Sequence, residues 1–346
     1  MKCAIVPPYV LARIAEAHPR LPVAADAARR ALSELEPLNR ARREAGGSAG
    51  PRGGTAVAAT LRRRVSDAGG REELPGVPVR GEGHPPTGDP AVDEAYDGLG
   101  AFYSFLEAAY GRSSLDGAGF GLDATVHYGR EYDNAFWEGS RVVFGDGDGE
   151  VFNRFTVSLT VIAHELGHGL VQFASPLDYQ DQAGALNESL CDVFGVLAEQ
   201  YVRRQAADDA AWLVGAGLFT PEVSGTALRS LKAPGTAYDD DVLGRDPQPA
   251  TMAGYVQTSS DHGGVHINSG IPNHAFYLAA ARLGGFAWER AGQIWYDALT
   301  EQQLPRDCTF PAFAAATVAA AEKRYGVGAV ETSAVQAAWE AVNVMV

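Results

Sequence analysis

The segment that most constrains this chain is His164-Glu165-Leu166-Gly167-His168, which lies within a helical pattern of apolar residues at 156–173. Residues four apart share one face of a helix, so both imidazoles can reach a single ion. Zinc accepts such nitrogen ligands, and Glu165 stands beside the first of them, where its carboxylate can reach a water at the metal. The alternative is a helix with two structural histidines, but buried imidazoles need partners, which favours a metal site.

A catalytic zinc site needs a third protein ligand and one open position. The next helical pattern, 185–204, carries Glu188, which lies 20 residues after His168. This spacing allows the chain to turn near Pro176 and run back antiparallel to the first helix. Asp192 follows one turn later on the same face and could hold a ligand imidazole from behind. From spacing alone, Glu188 and Asp192 could equally be two acids on a helix surface.

The composition of the 346 residues is that of a globular protein with about two domains. No run of 18 or more apolar residues occurs, so we predict no membrane partner. Pro7 and Pro8 interrupt the apolar stretch that a secretory signal needs, so we predict no signal peptide and a protein that is cytoplasmic or secreted by a non-standard route. Cys3, Cys191 and Cys308 form no CxxC pair, which argues against a disulfide framework.

Charge is distributed unevenly along the chain. Residues 1–64 hold 12 Lys or Arg against 5 Asp or Glu, whereas the whole chain carries a net charge of −15. This basic head could bind nucleic acid or could dock on its own acidic body. It lacks the interleaved aromatic residues that stack on bases, so we favour docking and predict no nucleic-acid partner. Residues 45–54, rich in Gly, predict a flexible linker after the head.

The order of the local patterns indicates a mixed domain followed by a mainly helical one. Short strand-like runs, such as Thr125–Tyr128 and Arg141–Phe144, lie in a Gly-, Pro- and Asp-rich region at 55–153. The spacing of apolar residues predicts helices at 9–43, 93–110, 156–173, 185–204, 268–282, 286–300 and 309–323.

Four segments, in order, resemble the thermolysin-like zinc metallopeptidases: Asn134–Gly149, the HELGH motif, Gly184–Gly195 and Ser260–Ala280. The match is collinear from about Leu74 to the C-terminus. The resemblance implies an α+β fold with two lobes and an active-site cleft between them. The β-rich N-terminal lobe would span 51–178 and include the HExxH helix, and the mainly α-helical C-terminal lobe would span 179–346.

The residues around Pro7-Pro8-Tyr9 resemble the short propeptide of the protealysin-like branch of that family. The resemblance implies a propeptide at 1–50 that inhibits the enzyme intramolecularly, and a maturation region in the linker at 45–54. A thiolate at Cys3 could then occupy the open position of the zinc. The simpler interpretation, which we favour, is that Cys3 anchors the propeptide as a small buried residue.

The resemblance also assigns roles around the metal that spacing does not decide. Glu188 would be the third zinc ligand, Asp192 would orient His164, and Asn187 would support His168. Tyr179 and His266, with Asp261 behind His266, would donate hydrogen bonds to the oxyanion. The substrate chain would be held by Asn134, the Ala135 backbone and Arg229.

Five apolar residues fall where the family forms its pocket for the residue after the cut, which predicts cleavage before bulky hydrophobic residues. They are Phe152, Phe155, Val161, Val214 and Leu228. Their alternative role is simply that of core residues.

The resemblance is incomplete where thermolysin itself binds paired calcium ions. Thr160, Leu213 and Ala216 stand in places that acidic residues would need to fill, which leaves Glu199 and an acid at Asp208 or Asp209. Calcium needs six to eight oxygen ligands per ion, so the paired site looks dismantled.

These observations predict a zinc-dependent endopeptidase that acts on peptides or proteins and is made as a self-processed zymogen. A proteinaceous inhibitor would be a further partner. The alternative is a catalytically silent binding protein that retains the fold, but the intact HExxH motif, Glu188 and His266 argue against it.

Overall fold

The computed structural model of the chain describes residues 3–17, 20–44 and 60–345. The predicted linker at 45–54 lies outside these residues, and so do the side chains of Cys3 and of residues 34–44. Both interpretations of Cys3, the favoured buried anchor and the contact with a metal, depend on a side chain that lies outside the described residues. We refer to residues 3–17 and 20–44 together as the N-terminal segment.

A six-stranded sheet, in the order β1-β5-β6-β4-β2-β3, forms the first half of the fold. Strand β2 runs parallel to β4, and β4 runs parallel to β6, whereas the other neighbours are antiparallel. The predicted strands overlap β4 and β6. The strands are β1 (Cys3–Ala4), β2 (Arg63–Asp67), β3 (Val77–Gly81), β4 (Leu122–Val126), β5 (Ala135–Trp137) and β6 (Val142–Phe144).

Ten helices are described, and each predicted helical pattern overlaps at least one of them. The predicted helix at 9–43 is two helices, and the last helix was not predicted because its sequence has few large apolar residues. Among the described residues, no helix combines the length and hydropathy needed to cross a membrane. The helices are α1 (Pro8–Glu16), α2 (Pro22–Glu44), α3 (Pro90–Tyr110), α4 (Leu159–Ala174), α5 (Asp181–Arg203), α6 (Asp261–Asn268), α7 (Gly270–Leu283), α8 (Ala291–Glu301), α9 (Phe310–Tyr325) and α10 (Val330–Ala341).

Four short strands in the second half form two antiparallel ladders, β7 with β8 and β9 with β10. They are β7 (Leu213–Val214), β8 (Arg229–Ser230), β9 (Asp239–Asp240) and β10 (Gly244–Arg245). The first ladder matters for the site because it carries Arg229 next to Val214.

Helices α4 and α5 pack closely enough that side chains are excluded between them. A Cβ atom on Gly167 of α4 would lie 2.9 Å from the Cα of Cys191, and one on Gly195 of α5 would lie 3.0 Å from the carbonyl oxygen of Thr160. As the residue number rises in one helix it falls in the other, so the two helices are antiparallel. This geometry explains glycines that each cost about 1 kcal/mol of helix propensity relative to alanine.

The N-terminal segment lies on the rest of the molecule. Strand β1 extends the sheet by pairing with the edge strand β5. Arg20 forms an ion pair with Asp241, and Arg30 forms one with Glu131 at 3.2 Å. The predicted docking of the basic head on its own acidic body is thus observed at these two arginines.

Candidate active site

Three side chains from α4 and α5 converge in the interior: His164, His168 and Glu188. One ligand atom of each lies within 4.8 Å of the ligand atoms of the other two. His164 Nε2 is 3.4 Å from Glu188 Oε2, and His168 Nε2 is 3.5 Å from Glu188 Oε1. His164 Nε2 and Glu188 Oε2 are buried and have no hydrogen-bond partner among the described residues. Such atoms at the centre of a buried cluster fit a bound metal ion.

The Nδ1 atoms of His164 and His168, which point away from the cluster, each contact a hydrogen-bond acceptor. His164 Nδ1 lies 2.8 Å from Asp192 Oδ1, and His168 Nδ1 lies 2.9 Å from Asn187 Oδ1. Because both partners are oxygen acceptors, each Nδ1 carries the proton. Each Nε2 is then left with its lone pair directed to the centre of the cluster, as a metal ligand requires.

Charges around the cluster favour a cation at its centre. Although burial opposes ionisation, His266 and His168 hold the pKa of Glu188 well below its usual range. Burial lowers the pKa of His164, but Asp192 and Glu188 together raise it to about 9. The site is therefore rich in negative charge and binds positive charge, whether as a proton or as a metal ion.

Glu165 follows the first histidine on α4 and is fully buried. Burial raises its pKa well above the usual value, while the nearby charges of His164 and Glu188 act in opposite directions. A carboxyl group whose pKa is raised in this way is a better proton acceptor than an exposed glutamate.

A second group of residues approaches the cluster from α6 and from the loop before α5. The Tyr179 hydroxyl donates to Glu188 and lies 3.3 Å from His266 Nε2. His266 Nδ1 lies 2.6 Å from Asp261 Oδ1, and Asp261 Oδ2 accepts from the His266 backbone N–H at 2.9 Å. Four successive residues from Asp261 to Gly264 have positive φ, which turns the chain so that the Asp261 carboxylate faces His266.

Residues Ala4–Val6 of the N-terminal segment lie directly against this site. The Ile5 N–H donates to the Ala135 carbonyl oxygen at 3.0 Å. The Val6 N–H donates to Asn134 Oδ1 at 2.9 Å, and Asn134 Nδ2 donates to the Val6 carbonyl oxygen at 3.3 Å. Arg229 Nη1 donates to the Ile5 carbonyl oxygen at 3.1 Å. The predicted substrate-holding residues thus hold an extended piece of the chain itself.

The segment Ala4–Val6 also contacts His266, which belongs to the second group of residues described above. His266 Nε2 lies 3.1 Å from the Ala4 carbonyl oxygen. Both ring nitrogens of His266 therefore face oxygen acceptors, which requires a doubly protonated imidazole. Burial opposes that charge, but Asp261 and Glu188 raise the pKa of His266. His266 is thus a hydrogen-bond donor to a peptide carbonyl beside the cluster of His164, His168 and Glu188.

The five predicted pocket residues are all buried in the hydrophobic core that also contains Ile5. Within it, the Phe152 and Phe155 ring centroids are 5.6 Å apart, and the Leu228 N–H donates to the Val214 carbonyl oxygen at 2.9 Å. Phe152 also stacks on Phe219 with ring centroids 5.7 Å apart, which joins the segment before α4 to the segment after α5.

Sequence reasoning missed three supporting residues. Asn273 of α7 donates to Asp192 Oδ2 at 2.9 Å, and Gln248 donates to the His266 carbonyl oxygen at 2.8 Å. Cys191 Sγ lies 3.1 Å from His168 Nδ1. Asn273 lies in the Ser260–Ala280 segment, but no local pattern indicates which ligand it supports.

The predicted calcium positions have other partners. The Thr160 hydroxyl accepts from the Gly215 N–H at 2.9 Å, and Glu199 pairs with Arg203 at 3.0 Å. Glu199 is largely buried, which raises its pKa. An acid that holds a proton more readily is a weaker calcium ligand.

Comparison with known proteins agrees with this geometry. The sequence profiles described as "Thermolysin metallopeptidase, catalytic domain" and "Thermolysin metallopeptidase, alpha-helical domain" match residues 82–172 and 175–344. An "Extracellular metalloprotease" of Pectobacterium carotovorum subsp. carotovorum is 52% identical over 284 residues, which cover 82% of this chain and 81% of the relative. The chain belongs to the thermolysin metallopeptidase family.

Further relatives include a solved structure whose similarity extends over the N-terminal segment. "Protease PrtS" of a Photorhabdus species is 52% identical over 264 residues, which cover 76% of this chain and 71% of the relative. The solved precursor of protealysin, a metalloproteinase from Serratia proteamaculans, is 49% identical, with a TM-score of 0.89 over 99% of this chain and all of that chain. The predicted thermolysin-like fold and metallopeptidase class are confirmed, whereas the exact lobe boundaries stay a prediction.

Proposed function

We propose that this chain is a zinc-dependent endopeptidase made as a latent precursor. His164, His168 and Glu188 would hold the zinc, and Glu165 would be the general base. The observation that carries the proposal is the buried convergence of these three ligands, with both Nε2 atoms turned inward by Asp192 and Asn187. The family to which the chain belongs is zinc-dependent.

The chain's own residues would carry the proton transfers and the binding of charge. When bound, zinc lowers the pKa of a water and polarises the carbonyl group that the water attacks. Glu165 takes a proton from the attacking water and delivers it to the leaving amine. His266 and Tyr179 donate hydrogen bonds to the carbonyl oxygen as negative charge develops on it, and each such donor contributes about 10²–10³ in rate in comparable sites.

The N-terminal segment would keep the precursor latent by occupying the substrate site. Its Ala4 carbonyl oxygen contacts His266, and the Ile5 carbonyl oxygen contacts Arg229. The backbone thus lies in the register of a substrate whose bond between Ala4 and Ile5 faces the metal cluster. Release of the segment, after self-processing between the segment and the body, would open the site.

The buried position of Ile5 supports the predicted preference for bulky hydrophobic residues after the cut. Ile5 is fully buried, and it shares the core with Phe152, Phe155 and Val214. Burial of such a side chain is worth about 1.5–3 kcal/mol, whereas an unpaired charge there would be strongly unfavourable. A peptide library cleaved equally before Asp and before Leu would contradict this preference.

Two relatives are named extracellular metalloproteases, so we propose that this enzyme acts on proteins outside the cell. The route of export and a proteinaceous inhibitor remain predictions. Calcium is not proposed as a cofactor, because Thr160 and Glu199 are engaged elsewhere.

The first test is hydrolysis of casein by the full-length chain after an incubation in which the wild type can process itself. Glu165→Gln should lower the rate about 10²–10⁴-fold while zinc remains bound at one equivalent, because the amide cannot accept the proton. A zinc chelator should abolish hydrolysis, and added zinc should restore it. Wild-type protein that holds a full equivalent of zinc and does not cleave casein would instead support the silent binding protein.

The second test concerns latency. Ile5→Asp places an unpaired carboxylate in a fully buried position, so the purified precursor should show at least about tenfold more activity, equivalent to about 1.4 kcal/mol of weakened docking. Val327→Asp makes the same chemical change at a residue that is 85% exposed and should leave latency unchanged. Unchanged latency in Ile5→Asp would contradict the inhibitory register.

A further inference from the structure

Asp133 and Asp148 are buried acids that the proposed mechanism does not use. The segments that carry them lie side by side, because the Gly147 N–H donates to the Tyr132 carbonyl oxygen at 3.3 Å and the Gly145 N–H donates to the Asn134 carbonyl oxygen at 3.0 Å. Asp133 is fully buried and Asp148 is 9% exposed. Among the described residues, no donor meets full hydrogen-bond geometry at either oxygen of Asp133 or at Oδ2 of Asp148, although the backbone N–H of Asp148 lies close enough to act on Asp133. Asp148 Oδ1, in contrast, accepts from the backbone N–H groups of Glu150 and Val151, each at 2.6 Å. Two neighbouring buried carboxylates with so few hydrogen-bond donors cannot both be ionised without a large cost in free energy.

Helix α2 of the N-terminal segment covers the two pieces of chain that carry this pair. Arg30 donates to the Arg130 carbonyl oxygen at 3.1 Å and to Glu131 Oε2 at 3.2 Å, just before Asp133. Glu150 Oε2 accepts from the Ala24 N–H at 3.0 Å, just after Asp148. The face of α2 between these contacts is apolar and buried, and consists of Ala24, Ala27, Ala28 and Ala31.

We propose that Asp133 and Asp148 share one proton beneath helix α2, and that loss of this proton as pH rises weakens the docking of the N-terminal segment. The inference rests on the proposed role of that segment as a releasable inhibitor. It adds a regulatory site that contains none of the proposed metal ligands, in which a proton stabilises the latent form.

One cation, Arg30, and two further carboxylates, Glu131 and Glu150, lie beside the pair, and their effects do not cancel. Burial raises the pKa of Asp133 well above its ordinary value, and Asp148 raises it further. The backbone N–H of Asp148 and the charge of Arg30 act in the opposite direction. The Arg30 side chain is 42% exposed and already faces Glu131, so solvent and that carboxylate weaken its effect. Glu131 and Glu150, two residues from Asp133 and Asp148 along the chain, bring no positive charge to the pair, so burial and the mutual repulsion of the two acids keep one proton on it.

The direction of the pH effect follows from the difference between the pKa of the pair in the docked form and its pKa in the released form. Covering by α2 removes water from the pair, so its pKa is higher in the docked form than in the released form. Docking is therefore strongest at pH values below the released pKa and weakens as pH rises toward the docked pKa. Between those two values, each pH unit weakens docking about tenfold.

The test uses the full-length Glu165→Gln precursor, so that self-cleavage does not contribute. Amide hydrogen exchange of α1 and α2 is followed from about pH 5 to pH 8, after correction for the intrinsic pH dependence of exchange. The corrected opening of these helices should rise at least about tenfold across this range, the factor for a one-unit pKa difference. With Asp133→Asn in the same background, the amide donates to Asp148 at every pH, and the rise should disappear.

Asp148→Asn provides a second test of the pair, and Asp123→Asn provides the matched control. Asp123 lies on strand β4 of the six-stranded sheet and pairs with Arg64. Replacing it should leave the pH response unchanged. Infrared spectra of the precursor should show a protonated carboxyl group that Asp133→Asn removes. The proposal would be overturned if the Glu165→Gln precursor showed the same pH response with and without Asp133→Asn. Absence of the carboxyl band would also overturn it, and so would stoichiometric calcium binding that depends on Asp133. None of these readouts requires proteolysis, so failure of the proposed activity would be seen separately.

Discussion

Asp192 and Asp133 are both fully buried aspartates, yet their environments shift their pKa values in opposite directions. Arg229 and His164 lower the pKa of Asp192 to about 2 against the effect of burial. Asp133 faces Asp148 instead, and its pKa is raised. The difference indicates that the neighbouring charges, and not the extent of burial alone, decide whether a buried aspartate is ionised.

The two environments also differ in how completely the oxygens are satisfied. Asp192 Oδ1 and Oδ2 accept from Arg229 at 2.8 Å each, and Oδ2 also accepts from Asn273 at 2.9 Å. Asp133 has no such set of donors. We therefore expect the same chemical change, aspartate to asparagine, to have opposite consequences at the two positions.

The largest expected effect is that of Asp192→Asn. It leaves the buried guanidinium of Arg229 without its counter-charge, so the free energy of unfolding should fall by about 3–5 kcal/mol. Zinc affinity should fall about 10–100-fold because a neutral amide orients and polarises the His164 imidazole less strongly than a carboxylate does. Urea unfolding and zinc titration measure the two effects. Asp297→Asn, which breaks a bidentate pair with the more exposed Arg324, should cost only about 1 kcal/mol. Equal losses in the two variants would contradict the comparison.

The next effect is the acid dependence of stability. Because the pKa of Asp192 is lowered from about 3.9 in the unfolded chain to about 2, its contribution is present above about pH 4 and is lost as pH falls through about 2. The loss amounts to about 2–3 kcal/mol. Urea unfolding in the presence of chelator, which removes the effect of metal release, should show it in the wild type and not in Asp192→Asn.

The smallest effect is that of Asp133→Asn on stability. The raised pKa of Asp133 imposes no penalty below about pH 4, and the penalty grows as pH rises toward the raised value. The variant should therefore match the wild type below about pH 4 and exceed it by about 1 kcal/mol or more near neutral pH. Thermal unfolding of the Glu165→Gln precursor at several pH values measures the difference. A variant that is less stable than the wild type at neutral pH would show that Asp133 is needed as an anion.

Much of the fold and most of the candidate site could be predicted from sequence. The helical pattern at 156–173 and the spacing of His164 and His168 are local, because residues four apart on a helix must share a face. Strand β2 was not predicted, since its residues Arg63–Asp67 are mostly charged or polar and its pairing depends on distant strands. Helix α10 was missed for a related reason, because its small residues become core only against other helices.

The sequence by itself determined which residues can bind a metal, which helix presents them, and which family the chain resembles, because these properties follow from residue type and short spacing. Only the tertiary structure decided that Ala4–Val6 lie against Asn134 and Arg229, and that Asp133 meets Asp148 beneath α2. Those contacts join residues far apart in the chain, and their pKa values depend on the burial and the charges that folding brings together.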